Sequence, residues 1–265
     1  MGAAAVFLKD FIIMKTAINK VSEYQGFDIF DYSLENDRGT RISIRNFPNF
    51  WHEYSFIDEN SQRQNLLIDP FDEKNIDQNK GNCQTLKFVI HENSITLKED
   101  SKNFIAKENN STKTFPQITY TLFEDDSVTI KFDTDFRTDY SKLPTYLKNY
   151  WIIAKGQVKI KSDDDFNLER KPVGQTFVLN EMDRKSIPVL QARGPSLKRE
   201  LSFFTNMDQL LLSASDLKNS NSILTDRKES GSAVLELCFQ NLFYFEKNNQ
   251  LVVRNNWITY RIKYH

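Results

Sequence analysis

From about residue 22 onward the hydrophobic positions fall in short runs that skip alternate residues, the period of a strand with one face buried. Residues 127–133 alternate throughout, with Val128, Ile130 and Phe132 on one phase. Residues 117–123 alternate in the same way through Ile118, Tyr120 and Leu122, and Glu124, Asp125 and Asp126 between the two runs predict a hairpin. Ile42, Ile44 and Phe47 predict an earlier strand, closed by Asn46 and Pro48. Further short runs cover residues 86–90, 94–97, 150–154, 157–160, 175–179, 201–205, 210–212, 233–238, 242–245, 251–254 and 257–264. About fifteen short strands separated by Asn-, Asp- and Lys-rich turns predict an all-β protein, a large antiparallel β-sandwich.

The first fourteen residues are apolar in part, but no basic segment precedes them, and Lys9 and Asp10 split the run. They therefore do not read as a signal peptide. Residues 1–20 are expected to be an N-terminal extension and residues 21–265 a single sandwich domain. No stretch reaches the 18 uninterrupted apolar residues of a membrane-spanning helix. The loosest segments, 69–82, 109–114 and 215–231, read as long loops within the one domain.

Composition narrows the chemistry. The 35 basic and 36 acidic side chains give a net charge of −1, so no global basic field is available to hold nucleic acid or a membrane surface. Two cysteines, Cys83 and Cys238, are too few for a disulfide framework or a cysteine-built zinc site, and predict a cytoplasmic setting. Three histidines, at 52, 91 and 265, are scattered and predict no metal site. The phosphate-loop, dinucleotide, nucleophile-elbow and zinc-protease signatures are all absent, and no cofactor is expected. Asp163, Asp164 and Asp165 match a calcium loop only in charge, because the turn glycine and the closing glutamate are missing.

Two features remain as candidate chemistry. Trp51 and His52 stand beside Tyr54 and Phe56, a grouping that can stack on a sugar ring or pack a strand core. Glu236 lies in an otherwise apolar strand, with Leu235 and Leu237 on one face and Val234, Glu236 and Cys238 on the other. A carboxylate there must be paired, hydrogen-bonded or set in a cleft, and burial would raise its pKa toward the range useful for proton transfer.

Three segments resemble the aldose 1-epimerase (galactose mutarotase) family. Tyr32, Leu34, Asn36, Gly39, Ile42, Ile44 and Asn46 follow the spacing of its opening hairpin. Ile118, Tyr120, Leu122, Glu124, Asp125, Val128, Ile130 and Phe132 follow a second family hairpin, and residues 146–156 stand where the family carries an N-L-T-N-H-x-Y-F-N-L run. Residues 231–264 are similar to its L-E-x-q strand and closing strands. The resemblance implies a galactose mutarotase-like supersandwich with a sugar cleft. It also implies ring-opening anomer interconversion, in which a glutamate takes the anomeric proton and a histidine protonates the ring oxygen.

Carried over by position, Glu236 matches the base, whereas the histidine position is occupied by Tyr150, with Trp151 and Lys148 close by. Tyrosine and lysine are poor general acids near neutrality. Residues 69–82 hold neither the arginine nor the second histidine of the family's early loop, and the family's later aspartate–histidine pair is not found around 175–183. His91, or else His52, is the histidine left to act as acid. The expected ligand is a monosaccharide or sugar derivative contacted by Tyr150, Trp151, Trp51 and His52, with Glu236, His91 and Lys148 as candidate proton-transfer groups. Binding is expected to outweigh epimerase activity. The other class consistent with the sequence is a catalytically silent sandwich that binds a protein partner.

Overall fold

The structure, a computed structural model, describes residues 14–24, 26–46, 49–67, 86–99, 117–133, 149–154, 158–160, 175–179, 186–193, 199–216, 232–240 and 256–264. Those residues form seventeen strands and no helix, and every strand pairing is antiparallel.

The N-terminal part is a meander, with β1 (Lys15–Tyr24), β2 (Phe27–Glu35), β3 (Arg41–Asn46), β4 (Asn49–Ile57) and β5 (Arg63–Asn65) adjacent in chain order. Alternation sorts its side chains. Leu34, Ile42, Ile44, Tyr54 and Phe56 enter the core, while Asp31, Ser33, Arg41, Ser43 and Arg45 take the opposite phase. The chain continues through β6 (Leu86–His91), β7 (Ser94–Glu99), β8 (Gln117–Leu122), β9 (Val128–Asp133), β10 (Asn149–Ala154), β11 (Val158–Ile160) and β12 (Gln175–Val178). It ends with β13 (Leu190–Arg193), β14 (Arg199–Thr205), β15 (Gln209–Asp216), β16 (Ser232–Gln240) and β17 (Asn256–Tyr264).

An eight-stranded sheet runs β11-β13-β14-β17-β9-β8-β7-β6, so the last strand sits inside the sheet between β14 and β9. A four-stranded sheet runs β10-β16-β15-β12, and a bridge between Leu67 and Trp151 joins its β10 edge to the end of the meander. Aromatic rings fill the space between the layers. Trp51 lies 5.7 Å from Trp151 and 5.1 Å from Tyr260, and Trp151 lies 5.2 Å from Phe203, all as ring centroids. Edge-to-face contacts of this kind add to simple burial because the positive ring edge meets the negative face of its neighbour.

Three hairpins turn by one device. In each, a turn bond (Gly39 to Asn36, Ser61 to Asp58, Asp126 to Phe123) is donated by a residue with left-handed backbone, at φ 79°, 61° and 67° respectively. This matches the three-residue hairpin loop, whose last residue must take positive φ to rejoin the ladder. The first and third tips are tied together. The Asp126 carboxylate accepts from Asn36 Nδ2 at 2.9 Å, Thr40 Oγ1 at 2.7 Å and Arg38 Nη1 at 3.2 Å, and Tyr54 donates its hydroxyl to the Asp126 carbonyl. The spacing of Asn36 and Gly39 in the opening hairpin thus has a physical role: Asn36 spans two sheets, and Gly39 supplies the turn.

The strands predicted around 42–46, 86–90, 94–97, 117–123, 127–133, 150–154, 157–160, 175–179, 201–205, 210–212, 233–238 and 257–264 are all present. Five strands lie outside those runs, β1, β2, β4, β5 and β13, of which β2 falls in the opening hairpin that the family resemblance implied. In β1, which crosses the expected boundary at residue 20, Ala17, Ile18, Lys20 and Val21 are all exposed, so the strand has no apolar phase. In β13 the alternation of Leu190 and Ala192 spans only four residues. The start of the expected loop at 215 belongs instead to β15. The expected strands at 242–245 and 251–254, and the expected loops 69–82 and 109–114, lie outside the described residues.

Candidate functional site

The site expected around Glu236 is built on three neighbouring strands. In β16, Glu236 stands directly opposite Tyr150 of β10 and Ser213 of β15. The adjacent row consists of Leu237, opposite Asn149 and Leu212. Leu237 and Leu212 are buried, as is Trp151, so that phase of the sheet packs into the core. Position 236 is one residue out of phase with Leu237 along the strand. The two positions that the family comparison singled out, the base and the replaced histidine, are therefore cross-strand partners, with Cβ positions about 5 Å apart in such a pair. Lys148 lies outside the described residues.

The remaining candidates are dispersed. His91 is the last residue of β6, exposed where that edge strand turns into β7, and belongs to the eight-stranded sheet rather than the Glu236 sheet. Trp51 and Trp151, expected to contact sugar, are 3% and 0% exposed and lie in the aromatic core. The Trp51 Nε1–H donates to the Glu53 carbonyl at 2.6 Å. Their ring faces are taken by protein neighbours.

His52 occupies a special backbone position. The β3–β4 ladder pairs Ser43 with Glu53 and then Ile44 with Trp51, so His52 is the extra residue of a bulge. A bulge re-aims its side chain, and here the imidazole Nε2 lies 3.2 Å from Asp31 Oδ1. Arg45 grips the same carboxylate at two points, Nε to Oδ1 at 2.8 Å and Nη2 to Oδ2 at 3.1 Å. Burial pushes the Asp31 carboxyl up, but the adjacent His52 imidazole and the bonds and charge of Arg45 outweigh it and hold the group well below the usual carboxylate range. A carboxylate engaged by a bidentate guanidinium and an imidazole has little capacity left for a ligand.

Along the same face Arg41 lies 3.3 Å from Glu53, and Arg63 lies 2.8 Å from Glu35. Sequence reasoning passed over Asp31 and Arg45. The signal was present: once the loop between Asn36 and Thr40 is placed, hairpin register puts Asp31 against Arg45 and Glu35 against Arg41, opposite charges in both rows. Among the described residues no cluster of three or more histidine, cysteine, aspartate or glutamate side chains is arranged to hold a metal ion, and no helix is long and apolar enough to cross a membrane.

No known family model matches the sequence, and no curated protein sequence matches it. Solved structures do. The crystal structure of a galactose 1-epimerase from Lactobacillus acidophilus NCFM aligns over 95% of this chain and 99% of its own, with a TM-score of 0.54 at 10% identity. A GalM/aldose epimerase homologue from C. elegans aligns over 94% of this chain and 99% of its own, with a TM-score of 0.52 at 11% identity. The seventeen antiparallel strands thus make a galactose mutarotase-like β-sandwich.

Proposed function

We propose that this chain binds a monosaccharide or sugar derivative on the face of the four-stranded sheet around positions 236, 150 and 213, and that it interconverts anomers slowly or not at all. The observation that carries the reading is the direct pairing of Glu236 with Tyr150 on β16 and β10 in a mutarotase-like fold. In ring opening, Glu236 takes the anomeric hydroxyl proton, and a second group must protonate the ring oxygen. Tyr150 stands where the family resemblance places that acid. A phenol with an ordinary pKa near 10 holds its proton too tightly to release it quickly at neutral pH, yet it remains a good hydrogen-bond donor to a sugar oxygen. Recognition therefore survives the replacement, while the acid's share of the acceleration, about 10²–10⁴-fold, is largely lost. Two cysteines and a balanced charge support a cytoplasmic setting in carbohydrate metabolism.

The experiment follows the anomers of freshly dissolved galactose and glucose by NMR, with wild type beside Glu236→Gln, and measures binding of the same sugars by calorimetry. Binding that Glu236→Gln weakens, with little or no acceleration of mutarotation, is the expected result. If interconversion exceeds background, Tyr150→Phe, Lys148→Ala and His91→Ala assign the acid. Absence of both binding and turnover would reject the sugar reading. That outcome would leave a catalytically silent sandwich that binds a protein partner, a reading favoured by the burial of Trp51 and Trp151.

A further inference from the structure

The five-stranded sheet ends in a strand that packs neither of its faces. Lys15, Thr16, Ala17, Ile18, Asn19, Lys20 and Val21 are all exposed, although they alternate in direction along β1. Ile18 is 57% exposed and Val21 44%. Among the described residues β1 is held by its ladder with β2 alone, and no described strand pairs with its other edge, whose backbone donors and acceptors are a template for a further strand.

Edge strands are commonly guarded by lysines whose charge repels an incoming strand. In β1 that guard is neutralised within the chain. Lys15 lies 3.3 Å from Glu35, and Lys20 pairs with both Asp28 and Glu23. The ladder irregularity between Lys20 and Ser22 disturbs only the far end and leaves the edge from Lys15 to Lys20 regular. The strip beside it is apolar. Ile18 stands opposite Tyr32, whose ring stacks on Phe88 of β6 with centroids 4.2 Å apart. β6 is itself the edge of the eight-stranded sheet, so Ile18, Tyr32 and Phe88 form a partly open seam between two sheet edges.

We propose that β1 pairs antiparallel with β1 of a second copy of this chain, forming a two-fold dimer in which two five-stranded sheets join edge to edge. Self-complementarity selects a second copy as the occupant. With the two-fold axis at Ile18, Thr16 faces Lys20 and Ala17 faces Asn19, so no lysine meets a lysine, and each Ile18 meets its own copy. Like charges opposed across a ladder destabilise it and apolar pairs stabilise it, and an isologous contact of this kind closes at two subunits. The added ladder satisfies the free edge, and the Ile18–Tyr32–Phe88 seam supplies the apolar area that a lone pair of strands lacks. The dimer is independent of any ligand at the Glu236 face.

Light scattering and sedimentation of the full chain across the micromolar range test the proposal. The expected result is a mass rising to twice the 31.1 kDa monomer. Ile18→Lys, at an exposed position where the fold tolerates it, should weaken the dimer roughly tenfold or more. Val178→Lys, at a 52% exposed site on the edge strand β12, should leave the dimer unchanged. A monomer at every concentration would overturn the proposal. So would a dimer that Ile18→Lys, folded by circular dichroism, leaves intact, or one that Val178→Lys disrupts in its place.

Discussion

Asp31 lies on the polar phase of β2, yet only 8% of its surface is exposed, so its charge depends on what surrounds it. Burial acts against the charged form, and His52 and Arg45 together reverse the balance and depress the pKa. A depressed folded-state pKa contributes stability that is fully present above the unfolded value, near 3.9, and is lost as pH falls below it toward the folded value. Asp31→Asn removes the charge and leaves the half-buried Arg45 guanidinium without its bidentate partner, at a cost of about 3 kcal/mol near neutral pH. The gap between variant and wild type should close as the pH drops below about 4, where wild type loses the same contribution. Thermal unfolding of both proteins from neutral pH down to about pH 3 checks this, and a gap of constant size would show that the charge is not its source.

Among the elements, the hairpins show how much a turn depends on one residue. Gly39 has φ 79°, and a Cβ placed there would stand 2.9 Å from Ile57 Cγ1. Ile57 is partly exposed and can rotate away; the backbone angle cannot change without breaking the bonds between Asn36 and Thr40. Gly39→Ala should therefore cost about 1–2 kcal/mol, the penalty of a left-handed L-residue. Ser61→Ala, at an exposed position already holding that conformation, should change little. Urea midpoints of the two variants measure the contrast. Alternation made β8 and β9 legible because each lays one face on the core. β1 was illegible for the opposite reason, since neither of its faces is buried, and hydrophobic periodicity records burial rather than backbone conformation. The bulge at His52 left no local signal, because a ladder yields where packing across strands demands it and not where the sequence of one strand marks it.

Across the whole molecule, the sheets meet at Trp151, and here the sequence could place the residue in a strand but not on a face. The run from Tyr150 to Ala154 has no charged member to mark its outward side, so Tyr150 and Trp151 read as equal candidates for the sugar surface. The ladder separates them: Trp151 belongs to the phase of the buried Leu237, and Tyr150 pairs with Glu236 on the other. That assignment rests on contacts between residues far apart in the chain, which no local pattern encodes. The burial of Trp151 also carries a measurable cost. Its indole Nε1–H is fully buried and finds no acceptor among the described residues, while its ring touches Trp51, Tyr54, Phe203 and Tyr260. An unsatisfied buried donor costs about 1–3 kcal/mol, and the loss of a buried Trp side chain to alanine costs about 3–5 kcal/mol. Trp151→Phe removes the stranded donor along with part of the ring, so the two effects oppose each other. It should remain within about 1.5 kcal/mol of wild type, whereas Trp151→Ala should lose at least twice as much. Equal losses in the two variants, measured by denaturant unfolding, would mean that the ring volume kept by phenylalanine contributes little at this junction and that the indole N–H, lost in both, is satisfied in solution.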